Sequence, residues 1–190
     1  MKRLALVLCL AVGTARAQTE VELRASTTEY RYIEVSHTLP NGIVADGLYW
    51  GDQVLDELWV GGGYYFDVTG WLGALPMVYA TFGTEGRGVS LGMWVTIDGG
   101  GWNARGYLGR FMPTSGSLAS YTELDGFEAT RAVQGSRWGV GVAADGWRSA
   151  DESYWLLGPA LRRADRRGAW SAWLRFGDDT ELRLVRSHSF

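Results

Sequence analysis

The chain has 190 residues, 46% of them hydrophobic and 13% aromatic, with 21% charged and a formal net charge of −3, a balance that excludes the disordered class and permits a buried core. An acidic total without a basic cluster argues against a nucleic-acid partner. The only cysteine, Cys9, lies in the first dozen residues, so a disulfide framework and a thiolate zinc site are not expected beyond them.

Met1 to Ala17 reads as a secretory signal. Lys2 and Arg3 precede the apolar run Leu4 to Val12, and Ala15, Arg16 and Ala17 supply a small-residue cleavage site. Loss of Lys2, Arg3 and Arg16 would take the net charge from −3 to −6 in a mature chain that starts at Gln18 and forms one domain over 18–190. The apolar run is about half of the roughly 20 residues that a spanning helix needs, and no comparable run follows.

From Gln18 onward apolar residues recur mostly at period two, the strand period. Strands are predicted over roughly 20–25, 29–39, 43–50, 57–67, 71–83, 88–98, 102–112, 118–132, 136–147, 153–164, 168–176 and 180–190. Between them stand turn signals such as Pro40-Asn41-Gly42, Gly99-Gly100-Gly101 and Pro113-Thr114-Ser115-Gly116. The alternation is sharpest from Val89 to Asp98, where Val89, Leu91, Met93, Val95 and Ile97 fall on one face and Ser90, Gly92, Trp94, Thr96 and Asp98 on the other. The result is an all-β antiparallel meander of about twelve strands, or ten, most of them near the roughly 9–11 residues that cross a bilayer at the usual tilt.

The last stretch places Leu182, Leu184 and Phe190 in one period-two row. It resembles the terminal strand of Gram-negative outer-membrane β-barrel proteins. The resemblance implies a closed up-and-down transmembrane barrel in the bacterial outer membrane, with outer-membrane lipid as its surroundings and Phe190 as a signal read by the barrel-assembly machinery. Arg186 and His188 depart from that pattern, since they stand in the same row where apolar residues are usual.

With both termini periplasmic, the two longest connections, Gly51 to Asp56 and Arg148 to Glu152, fall in the external set, as expected of such barrels. Trp50, Trp59, Trp71, Trp102, Trp138, Trp147, Trp155 and Trp170 lie near proposed strand ends, the pattern of interfacial belts; the competing reading puts tryptophan in a lipocalin-like core.

Chemistry is sparse. His37 and His188 are the two histidines, and each neighbouring serine (Ser36, Ser187, Ser189) points to the opposite strand face, so a hydrolytic triad would have to be assembled across strands. Adjacent acids at Asp151-Glu152 or Asp178-Asp179 lack the ligand count of a specific calcium site. No catalytic, cofactor or metal residue is therefore expected. Candidate lumen polar residues are Asn103, Arg105, Glu123, Asp125 and Arg183, which would form either a salt-bridged plug or the wall of an aqueous path. The favoured function is a structural or channel-type barrel passing small solutes. The alternatives are a secreted or periplasmic lipocalin-like barrel holding an apolar ligand, and an outer-membrane lipid hydrolase.

Overall fold

The computed structural model describes residues 18–52 and 55–190; the proposed signal lies outside the described residues. Twelve strands follow one another in antiparallel hairpins: β1 (Gln18–Ser26), β2 (Arg31–Thr38), β3 (Ile43–Gly51), β4 (Asp56–Tyr64), β6 (Leu72–Gly83), β7 (Gly86–Gly99), β8 (Trp102–Gly116), β9 (Tyr121–Ala132), β10 (Trp138–Arg148), β11 (Ser153–Asp165), β12 (Gly168–Gly177) and β13 (Thr180–Ser189). A two-residue strand, β5 (Phe66–Asp67), pairs only with β6, while β4 pairs with β6 directly. The ring closes where β1 meets β13, from Glu20 opposite Ser189 to Ser26 opposite Arg183. Closure leaves no open sheet edge, which is what a β structure in lipid requires.

Alternation decides which face carries the exposed apolar side chains. On β7, Leu91 and Met93 are 46% and 42% exposed on the outside, while Ser90 between β6 and β8 is wholly buried. The same holds on β10 and β11, where Val140, Val142, Leu157 and Leu161 form an exposed apolar band. A lipocalin-like barrel would turn these rows inward, so the face polarity removes that alternative.

Three expectations change. The segment 57–67 divides into β4 and β5, with Tyr65 between them. The turn expected at 113–116 lies inside β8, where Thr114 forms a bulge: Gly88 stands opposite Pro113 and Arg87 opposite Ser115, and the ladder runs on to Gly116 opposite Gly86. Connection length does not sort the two ends: the longest, 65–71, is at the end that holds the termini, where the backbone N–H of Phe190 donates to the carbonyl of Thr19 at 2.9 Å.

A second bulge re-aims β9. Tyr107 stands opposite Asp125, whereas Arg105 stands opposite Glu128, so β9 carries one extra residue there. Gly126 supplies it with φ of 60°, a left-handed backbone that glycine adopts without strain. Its N–H donates to Oδ1 of Asp145 at 2.7 Å. Asp125 and Glu128 consequently both face the lumen although their numbers differ in parity.

Candidate functional site: the barrel lumen

Two chemically different walls face each other inside the ring. From β8 round to β1 the wall is ionic. Arg24 donates from Nε to Glu22 at 2.6 Å and from Nη1 to both oxygens of Asp125 at 2.9 Å, with Arg105 on the other oxygen of Glu22. One layer away, Asp145 receives Nη1 of Arg175 and of Arg183, each at 2.5 Å. Glu181 bridges the same two guanidinium groups, accepting from Nε and Nη2 of Arg183 at 3.1 and 3.0 Å. Glu128 accepts from Trp173 Nε1 at 2.6 Å and pairs with Arg162 at 3.6 Å. Trp173 and Arg175 are wholly buried, packed into the lumen by these partners.

From β2 to β8 the wall is aromatic. Tyr32, Leu48, Trp59, Met77, Tyr79 and Tyr107 form one buried cluster, flanked by Tyr30, Trp50, Leu75 and Trp94. Gly92 and Gly109 make room for the Tyr107 ring, since a Cβ at either position would strike it. The carboxyls on or beside this wall take uncharged donors: the Tyr32 hydroxyl donates to Glu34 at 2.8 Å, Tyr79 to Asp46 at 2.6 Å, Trp59 Nε1 to Glu57 at 2.7 Å, and Ser90 to Glu123 at 3.3 Å. Two rings hold resident cations, with Arg24 3.9 Å above Tyr32 and Arg183 4.1 Å above Tyr30.

At the end remote from the termini the walls part into a cavity of about 710 Å³. Glu57, Glu85, Glu123, Asp125, Asp145, Glu152, Asp179 and Glu181 line it beside Asp52 and Asp56, against one guanidinium among the lining residues, that of Arg183. Trp50, Trp59, Trp94, Tyr107, Tyr121 and Trp147 supply much of the remaining surface.

The candidate residues from sequence are distributed through this lumen. Asp125 and Arg183 sit in the two ionic layers, joined through the Glu22/Arg24 and Asp145/Glu181 groups. Glu123 lines the cavity, whereas Arg105 and Asn103 lie toward the terminal end, Asn103 opposite Thr130. Sequence reasoning missed Glu22, Arg24, Asp145, Arg175 and Glu181. Its usable signal was spacing, since Glu22/Arg24 and Glu181/Arg183 are opposite charges two residues apart on one strand face.

The tryptophan expectation is corrected in part. Trp71, Trp102, Trp138, Trp155 and Trp170 are exposed outside the barrel, but Trp50, Trp59 and Trp147 turn into the lumen. His37 is hydrogen-bonded through Nδ1 to the Thr19 hydroxyl at 2.9 Å on the outer face, across the sheet from Ser36. His188 meets Arg186 at 3.1 Å and the Phe190 ring at 4.4 Å.

With this geometry, comparison with solved structures decides the class of barrel. The chain superposes on the KdgM porin with a TM-score of 0.66 at 10% identity, covering 91% of this chain and 99% of that one. In fold, it is a closed twelve-stranded barrel of the porin type. The same porin solved in complex with disordered oligogalacturonate gives a TM-score of 0.65. The NanC porin gives 0.59 at 12% identity over 90% of this chain and 98% of that one. No family model matches the chain, and no curated protein matches it in sequence.

Proposed function

We propose that the protein is an integral outer-membrane barrel of the channel type that admits small solutes at an acidic, aromatic mouth and passes them through a narrow, ion-paired lumen. The observation that carries this reading is the cavity of about 710 Å³, lined by carboxyls that far outnumber cations. A partly enclosed surface of predominantly one sign concentrates counter-ions. It therefore favours cationic and neutral solutes and disfavours a polyanion such as the oligogalacturonate seen with KdgM. Glu57/Trp59 and Glu123/Tyr107 repeat the carboxylate-with-ring pattern of the Arg24 and Arg183 seats without a resident guanidinium. In this reading the cavity end faces outward, the terminal end faces the periplasm, and the β13 row ending at Phe190 is what the assembly machinery engages.

Planar-bilayer recording of the refolded mature chain across a potassium chloride gradient tests it. The expected result is a small unitary conductance with a reversal potential displaced toward that of potassium. Absence of conductance at every voltage, or a displacement toward chloride, overturns the reading.

A further inference from the structure

On the outer face of the barrel, six consecutive strands carry one residue each in a row that alternates tryptophan and arginine. Trp102 of β8 stands directly opposite Arg131 of β9, Trp138 of β10 opposite Arg163 of β11, Arg163 opposite Trp170 of β12, and Trp170 opposite Arg186 of β13. Only the β9–β10 step is offset, with Arg131 opposite Val140 and Trp138 two residues farther along. The contacts follow the register, each guanidinium resting on an indole at 5.8, 5.7 and 5.2 Å for Arg131/Trp102, Arg163/Trp138 and Arg186/Trp170. The three indoles are exposed, and they lie in the first residues of β8, β10 and β12, at the terminal end.

We infer that this arc is a binding surface for the phosphate headgroups of anionic phospholipid. Indoles favour the level where acyl chains meet headgroups, and an arginine laid on an indole is held at that same level with its donors free at the edge. Arg131 and Arg163 have no carboxylate partner among the described residues, so their donors are available for a phosphate, which a guanidinium can take in a bidentate manner. Arg186 is partly engaged by Asp165 at 2.6 Å, which leaves it the weakest member. Arg137, Arg166 and Arg167 in the two adjacent turns add to the positive charge, with Asp165 as the one carboxylate of that stretch. The opposite half of the wall has no arginine counterpart: near this end the strands β1 to β7 turn out residues such as Val21, His37, Ile43, Tyr64, Leu72 and Ile97, and the exposed Trp71 and Phe66 stand there without a guanidinium. The lipid contact is thus confined to one side of the barrel. The inference rests on the reading of the chain as a membrane barrel, though not on its conducting anything.

The test is refolding of the mature chain into vesicles of phosphatidylcholine alone and of phosphatidylcholine with an equal amount of phosphatidylglycerol, followed by urea unfolding and by native mass spectrometry of retained lipid. Phosphatidylglycerol is expected to be retained over phosphatidylcholine, with about a fivefold loss for each arginine neutralised. R131Q/R163Q should remove most of the preference while folding normally in phosphatidylcholine, R131K/R163K should keep much of it, and R110Q/R148Q on the outer face near the other end should leave it unchanged. Equal retention of both lipids by the unaltered chain, or a preference untouched in R131Q/R163Q, overturns the inference. If R131Q/R163Q does not fold in phosphatidylcholine, the single variants carry the same comparison. Failure of the bilayer recording together with selective lipid retention would leave this inference standing and remove only the channel reading.

Discussion

Arg24 and Asp125 meet across the lumen from strands 101 residues apart in the chain, with one guanidinium nitrogen 2.9 Å from both carboxylate oxygens. The Arg24 side chain is fully buried, packed against Tyr32 and paired at its other edge with Glu22. The arrangement ties β1 to β9 across the barrel's interior, so the section of the ring is held by ion pairs where a soluble protein would use an apolar core.

Removing one partner should therefore cost more than the pair contributes. Asp125→Asn leaves Arg24 with Glu22 alone and should destabilise the barrel by about 3–5 kcal/mol, while Arg24→Met with Asp125→Leu together should cost less than either single change. Urea unfolding in lipid vesicles gives both numbers, and a larger loss in the double variant than in the singles would contradict the account.

Gly126 makes that pair possible by turning β9 through its bulge. A Cβ there would lie 2.5 Å from Nη2 of Arg24, and the left-handed φ adds backbone strain for any other residue. Gly126→Ala should cost about 1–3 kcal/mol and should lose that penalty's steric share when combined with Arg24→Met. Equal unfolding midpoints for the unaltered chain and Gly126→Ala would sink the prediction.

The outward row on β7 offers a direct check of the faces. Leu91→Arg places a charge in the apolar band and should cost about 2–4 kcal/mol, the value for the bilayer midplane. Leu91→Met should be nearly neutral. The readout is the refolding equilibrium in vesicles, and a soluble, stable Leu91→Arg protein would mean that the row is not lipid-facing.

The Trp173/Arg175 layer should set the conductance. Arg175→Ala removes a wholly buried guanidinium between Asp145 and Glu181 and should raise unitary conductance and strengthen cation preference, at a stability cost of about 3–5 kcal/mol. Single-channel recording at low salt measures this, and an unchanged conductance would place the constriction elsewhere.

Much of the fold was legible because strand parity is a local property. Val89 to Ile97 and Leu182 to Leu184 announce their outer face without knowledge of any neighbour. Parity also held the answer for Trp50, which shares its number class with the lumen residues Asp46 and Leu48, but nearness to a strand end pointed instead to a belt. What local pattern could not carry was register. Asp145 serves Arg175 and Arg183 only because three strands align at one height, and a glycine bulge at 126 is indistinguishable in sequence from any other strand glycine. Arg186, a misfit in the terminal row when read alone, becomes regular once its neighbours across β12 and β11 are known.

The seam between β1 and β13 has a consequence for how the molecule comes together. Eleven of the twelve ladders in the ring join strands that are neighbours in the chain, and each can zip as a hairpin as soon as its two arms exist. The twelfth unites the two extremes of the described chain, bears the largest loop-closure entropy, and cannot pair before β13 is made. Arg24 stands on that seam and pairs with Asp125 across the lumen, so this ion pair and the closing of the ring are completed together, and until then β1 and β13 stand as two open edges.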